Sequence, residues 1–227
     1  MVDVRGNLDR VRERIVRAAE RAGRGPGDVL LVAVSKTVDL ERIRAAVAAG
    51  VPALGENRVQ EARDKIDAIG RPVPWHLVGS LQTNKARDAA RLFDWVHSVD
   101  REELARELDR RAGALGRRVE GLVQVNLGDE PQKGGLPAAD VKGLLDAVSG
   151  LAHLRIRGLM CIPPMTATAD EARLWFRRLR ALRDETGLEH LSMGMSGDFE
   201  AAIEEGATMV RVGTAVFGPR PARGEAP

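Results

Sequence analysis

The chain has 227 residues, enough for one large α/β domain without disulfide or metal staples. Its formal net charge of +2, with acidic residues spread along its length, gives no one-signed surface for nucleic acid. A single cysteine, Cys161, excludes an internal disulfide and a zinc site built on several thiolates.

The charged opening MVDVRGNLDRVRER and apolar runs too short to span a bilayer point to a cytoplasmic protein with no signal peptide and no membrane segment. From about Asn7 to Ala22, Leu8, Val11, Ile15, Ala18 and Ala19 recur at helical spacing. They predict an amphipathic N-terminal helix, closed by Arg24-Gly25-Pro26-Gly27. Short apolar runs follow at Val29–Ser35, Ala53–Gly55, Trp75–Gly79, Trp95–Ser98, Val119–Asn126, Ile156–Met160, His190–Met193 and Met209–Val212. Helical patterns separate them at Asp39–Ala49, Arg58–Ala68, Asn84–Leu92, Arg101–Ala114, Ala138–Val148, Ala169–Glu185 and Asp198–Glu205. Strands apolar on both faces, alternating with helices, imply a parallel sheet with helices outside it. Eight such strands in this length favour a single (β/α)8 TIM-type barrel with the additional N-terminal helix. No linker divides residues 1–227; residues 1–28 are the N-terminal helix and lead-in, and residues 219–227 an expected disordered tail.

Barrel chemistry sits at the C-terminal ends of strands. Those ends supply Lys36, Glu56-Asn57, Ser80 with Gln82 and Asn84, Ser98–Asp100, Asn126, Cys161, Ser192–Ser196 and Arg211 with Gly213-Thr214. Only five of the 35 basic residues are lysine, so a lysine closing an apolar strand invites a reason specific to a primary amine. With a period of two, Lys36 shares its face with Leu30, Val32 and Val34. A low-dielectric interior favours the neutral amine, the form that attacks an aldehyde; a buried ion pair with Glu56 is the alternative.

Ser192-Met193-Gly194-Met195-Ser196-Gly197-Asp198 ends one strand and opens a helix, and Gly213-Thr214 follows the next strand. Two such loops after the last two strands suit a phosphate. Arg211 shares parity with Gly213 and should point inward, toward a salt-bridge partner or a ligand ring nitrogen. His76 reads as a core histidine, Thr83 as a helix cap, Cys161 as inert, and no residue cluster suggests a metal.

These stretches resemble the pyridoxal phosphate homeostasis proteins. The resemblance rests on Val34-Ser35-Lys36-Thr37, Gly55-Glu56-Asn57, Val59-Gln60-Glu61, Trp75–Gly79, Leu81–Lys85, Gly158-Leu159-Met160, Leu191–Ser196 and Val210–Thr214 with Phe217-Gly218. It runs in order from about Val29 to Gly218, and implies a barrel related to the N-terminal domain of alanine racemases. It further implies pyridoxal phosphate (PLP) held as a Schiff base on Lys36. Ser196, Gly213 and Thr214 would hold the phosphate, Arg211 would face the pyridine nitrogen, and Asn57 would lie beside the ring. Gly197 and Gly134 depart from the pattern, standing where an aspartate and a serine are more usual.

The implied function is intracellular PLP homeostasis with little or no catalysis, with PLP and PLP-dependent apo-enzymes as partners; without a visible interface stripe, a monomer is the default expectation. The alternative is a PLP-dependent amino-acid racemase, which needs a second acid-base group opposite the lysine. Racemases of this type take a tyrosine for that role from a second domain; this chain has no tyrosine, leaving His76 or Lys85 as substitutes. A Schiff-base aldolase of phosphorylated sugars would use the same lysine and loops.

Overall fold

The structure is a computed structural model that describes residues 2–128, 130, 134–164 and 168–219. All eight expected strands form: β1 (Leu30–Val34), β2 (Ala53–Glu56), β3 (Trp75–Leu77), β4 (Trp95–Val99), β5 (Val119–Asn126), β7 (Leu154–Met160), β8 (His190–Ser192) and β9 (Met209–Val212). Every pairing is parallel, and β4 pairs with β5 to close the ring. Closure leaves no barrel edge open to a second chain. A two-residue strand, β6 (Leu136–Pro137), was not expected; it adds to Val125 and Asn126 at the end of β5. The expected tail lies outside the described residues from position 220 onward.

Helices α2 (Leu40–Ala48), α3 (Val59–Ile69), α4 (Ala86–Leu92), α5 (Glu102–Ala114), α6 (Val141–Val148), α7 (Ala169–Thr186) and α8 (Phe199–Glu204) cross between successive barrel strands. After β9 the described residues hold only a single helical turn, α9 (Thr214–Phe217). The N-terminal helix α1 (Val4–Arg21) fills the resulting gap, packing on α8, α9 and α2. Its apolar stripe, Val4, Leu8, Val11, Ile15, Ala18 and Ala19, is buried, so a helix at the start of the sequence completes the outer layer at the end of the barrel. Asn7 ties it down by donating from Nδ2 to the Val216 carbonyl of α9 at 3.0 Å.

The alternation of each strand divides the core. Leu31, Ala33, Leu54 and Val210 face the helices and join the large outer cluster. The opposite parity fills the barrel with two small apolar groups. One is Val32, Val34, Ala53 and Val78; the other is Leu122, Met160 and Met209 packed with Trp95, and Leu30 touches both. The same interior also holds the polar side chains of His76, His97, Ser192 and Arg211, all buried. No helix among the described residues is long and apolar enough to cross a membrane.

Candidate functional site

Lys36, Asn57, Ser196 and Gly213-Thr214 stand beyond the ends of β1, β2, β8 and β9, which pair in the order β2-β1-β9-β8. Four consecutive strands therefore bring Lys36, Asn57, Ser196 and Gly213-Thr214 to one arc of the barrel mouth. The register Ala33 opposite Val212 carries Lys36 and Thr214 past the ends of neighbouring strands. Lys36 is half-buried there.

Glycines permit the close approach. A Cβ on Gly213 would sit 3.1 Å from the Val34 carbonyl oxygen, so a side chain at this position would press on the strand that carries Lys36. Gly194 has φ +89°, and a Cβ there would lie 2.5 Å from the Ala202 Cβ. Its left-handed backbone seats the β8 loop against α8. The two loops meet where the Ala215 N–H donates to Ser196 Oγ at 3.4 Å. At the start of α8 the Asp198 and Phe199 N–H groups both donate to the Met195 carbonyl, at 3.1 and 2.9 Å, and at the start of α9 the Val216 N–H donates to the Gly213 carbonyl at 3.0 Å. Gly197 has nothing within 4 Å of a hypothetical Cβ, so packing does not explain why this loop lacks a side chain there. Asp198 accepts from the Met195 N–H at 2.6 Å and bends the same loop; burial raises its carboxyl above the usual aspartate range.

Arg211 points inward, as its parity predicted, and is 4% exposed. Of its two possible roles, the salt bridge is not made: no carboxylate within 4.0 Å pairs with it among the described residues, and Nη1 donates to Ser192 Oγ and Nη2 to the Cys161 carbonyl, both at 2.8 Å. Burial lowers its pKa. A cation held this way keeps further N–H groups for a ligand acceptor.

Behind Arg211 runs a chain that the sequence did not reveal. Ser192 Oγ lies 2.9 Å from His97 Nδ1, and His97 Nε2 lies 2.9 Å from His76 Nδ1. The arrangement in which Ser192 donates to His97 Nδ1 and His97 Nε2 donates to His76, with both rings neutral, points each ring dipole away from the Arg211 cation. Burial drives the His76 pKa down to about 3. Burial, followed by the charges of His76 and Arg211, takes His97 well below the ordinary histidine value. His76 Nε2 finds no protein partner among the described residues, and its ring stacks on Trp95 at an interplanar angle of 12°. His76 is thus a core histidine, as its sequence context suggested.

The strand-end polar groups do not all face the mouth. Glu56 is fully buried beneath α3, where it pairs with Lys65 Nζ at 2.8 Å, so the ion pair considered for Lys36 is made by another lysine. Thr83 caps no helix; its Oγ1 accepts from Arg101 Nη2 at 3.0 Å. Gln124 donates to the Gly134 carbonyl at 2.7 Å and closes the loop after β5.

Comparison with known proteins identifies the family of this fold. Residues 6–221 match the family described as alanine racemase, N-terminal domain. A pyridoxal phosphate homeostasis protein of Aquifex aeolicus is 45% identical over 220 residues, 94% of this chain and 96% of its own. Its namesake in Escherichia coli K12 is 41% identical over 231 residues, covering 97% and 98%. Among solved structures, PipY of Synechococcus elongatus PCC7942 with PLP bound superposes with a TM-score of 0.84 at 42% identity, over 95% of this chain and all of that one. An alanine racemase of Clostridium difficile 630 matches at a TM-score of 0.71 and 18% identity, a likeness of fold alone, over 97% of this chain and 57% of the racemase. The chain belongs to the alanine racemase N-terminal domain family and, within it, to the pyridoxal phosphate homeostasis proteins.

Proposed function

We propose that this chain binds PLP, with Lys36 holding it covalently as a Schiff base, and acts in PLP homeostasis as a carrier with little or no catalysis. The observation that carries the reading is the arc of Lys36, Asn57, Ser196 and Gly213-Thr214 on four adjacent strands, with buried Arg211 in the wall between them. The bound PLP of PipY, at 42% identity, supports it.

The residues present fit the group. Lys36 supplies a primary amine at the mouth, and the loop N–H groups and Ser196 hydroxyl suit a phosphate dianion. Arg211 suits a ring nitrogen as acceptor, and a fixed cation there opposes a second positive charge on the ring. PLP, when bound, supplies an electron sink for amino-group chemistry, and an unprotonated ring nitrogen makes it a weak one. A carrier benefits from this, because retention without turnover preserves the cargo. In this reading the protein is a cytoplasmic monomer that hands PLP to apo-enzymes.

The test is the visible absorption of the purified protein loaded with PLP. Lys36→Ala should lose the band while keeping its circular dichroism; retention of colour would overturn the assignment. Amino acids added to the loaded protein should keep their optical activity. Robust loss of it would favour the racemase alternative, with His76 or Lys85 in the place of the missing tyrosine.

A further inference from the structure

The strongest unexplained cluster lies against the backbone on either side of Lys36, between the ends of β1 and β2 and helix α3. Lys65 is 8% exposed in its side chain, yet all three of its ammonium donors have acceptors. They reach the Ser35 carbonyl at 2.6 Å, Glu56 Oε1 at 2.8 Å and Glu61 Oε1 at 2.7 Å. Ser35 Oγ also donates to Glu56 Oε1 at 2.5 Å. Glu61 Oε1 accepts the Thr37 N–H at 2.5 Å. Thr37 has φ +61°, the only non-glycine residue with positive φ among the described residues. A threonine adopts that conformation only where its surroundings impose it.

Three features make this more than an ordinary ion pair. Its contacts fall on the carbonyl immediately before Lys36 and the amide immediately after it. Both come from one helix, since Glu61 and Lys65 are one turn apart on α3. Burying these charges is costly, and apolar residues would fill the space as well, but they could not grip backbone polar atoms.

We propose that Lys65, Glu56 and Glu61 form a clamp on the backbone at both sides of Lys36, positioning its amine for covalent capture of a phosphorylated aldehyde. The inference rests on the function proposed above. In the capture step the neutral Lys36 amine adds to the aldehyde carbon; a C=N bond replaces C=O and one water leaves. The clamp touches neither the phosphate loops nor Arg211. It therefore governs bond formation separately from docking of the ring and phosphate.

Two ligands separate these contributions: PLP, and pyridoxine 5′-phosphate, which has an alcohol in place of the aldehyde. Binding of both is measured by fluorescence for the unaltered chain, Lys65→Met, Glu61→Ala and Glu61→Gln. In Lys65→Met and Glu61→Ala the dissociation constant for PLP should rise about 10- to 100-fold, the range expected when a reacting group is misplaced by about 1 Å. That for pyridoxine 5′-phosphate should stay within about twofold, because its docking contacts are untouched. Glu61→Gln, which keeps an acceptor for Thr37, should recover most of the PLP affinity. Parallel loss of both ligands, or no change in either, overturns the clamp. Equal binding of the two ligands by the unaltered chain overturns the Lys36 assignment and the clamp with it. Glu61 has a side chain 26% exposed, so Glu61→Ala decides the question if Lys65→Met does not fold.

Discussion

At the scale of single residues, the buried histidines set how the protein responds to acid. At pH 8 both rings are neutral in the folded and unfolded chains. Below pH 6.5 the unfolded chain takes up a proton on His76 that the folded protein refuses until about pH 3. Stability therefore falls as the pH drops through that window. His76→Phe should cost about 1–3 kcal/mol at pH 8, because His97 Nε2 loses its buried hydrogen-bond partner. It should also remove roughly 2–3 kcal/mol of the further loss between pH 6.5 and 4, measured by urea denaturation at each pH. An unchanged pH slope would show that His76 titrates normally in the fold. The inward placement of Arg211 was legible in the sequence because strand parity is a local signal. His97 sits on the same parity within β4, but its partner Ser192 is 95 residues away, and no local pattern announces that pairing. Nor did the sequence separate Lys65 from a surface lysine, since its acceptors come from two strands and a helix.

At the scale of elements, the loops after β8 and β9, proposed to hold the phosphate, depend on how tightly their first residues pack. Gly194→Ala would place a methyl group 2.5 Å from the Ala202 Cβ and 2.9 Å from the Phe199 Cα, at φ +89°. The substitution should destabilise the protein by about 2–4 kcal/mol in chemical denaturation, combining backbone strain with overpacking. Inorganic phosphate should also compete less well for the site; a stability change below about 0.5 kcal/mol would mean that the loop is not pinned to α8. All eight barrel strands were readable from apolar runs, despite three-residue lengths in β3 and β8, because turn residues and helical stretches bracket each one. The two-residue β6 and four-residue α9 were not, since neither is long enough to show a period.

At the scale of the molecule, the N-terminal helix is part of the barrel's outer layer and packs on the turn that follows β9. α1 covers the position left by the single turn after β9, and that turn carries Thr214 at its start. Leu8 is fully buried in this contact. Leu8→Ala should cost about 2–5 kcal/mol of stability, read from the urea midpoint, and no measurable cost would place α1 outside the cooperative unit. The sequence announced the helix through its apolar stripe, but only the closed barrel shows which gap it fills.

The claim on which the function rests is that one particular amine binds the aldehyde. Purified protein loaded with PLP, reduced with borohydride and digested, should carry the pyridoxyl group on the peptide containing Lys36, with one label per chain. A label on Lys65, Lys85 or Lys142 instead would contradict the account.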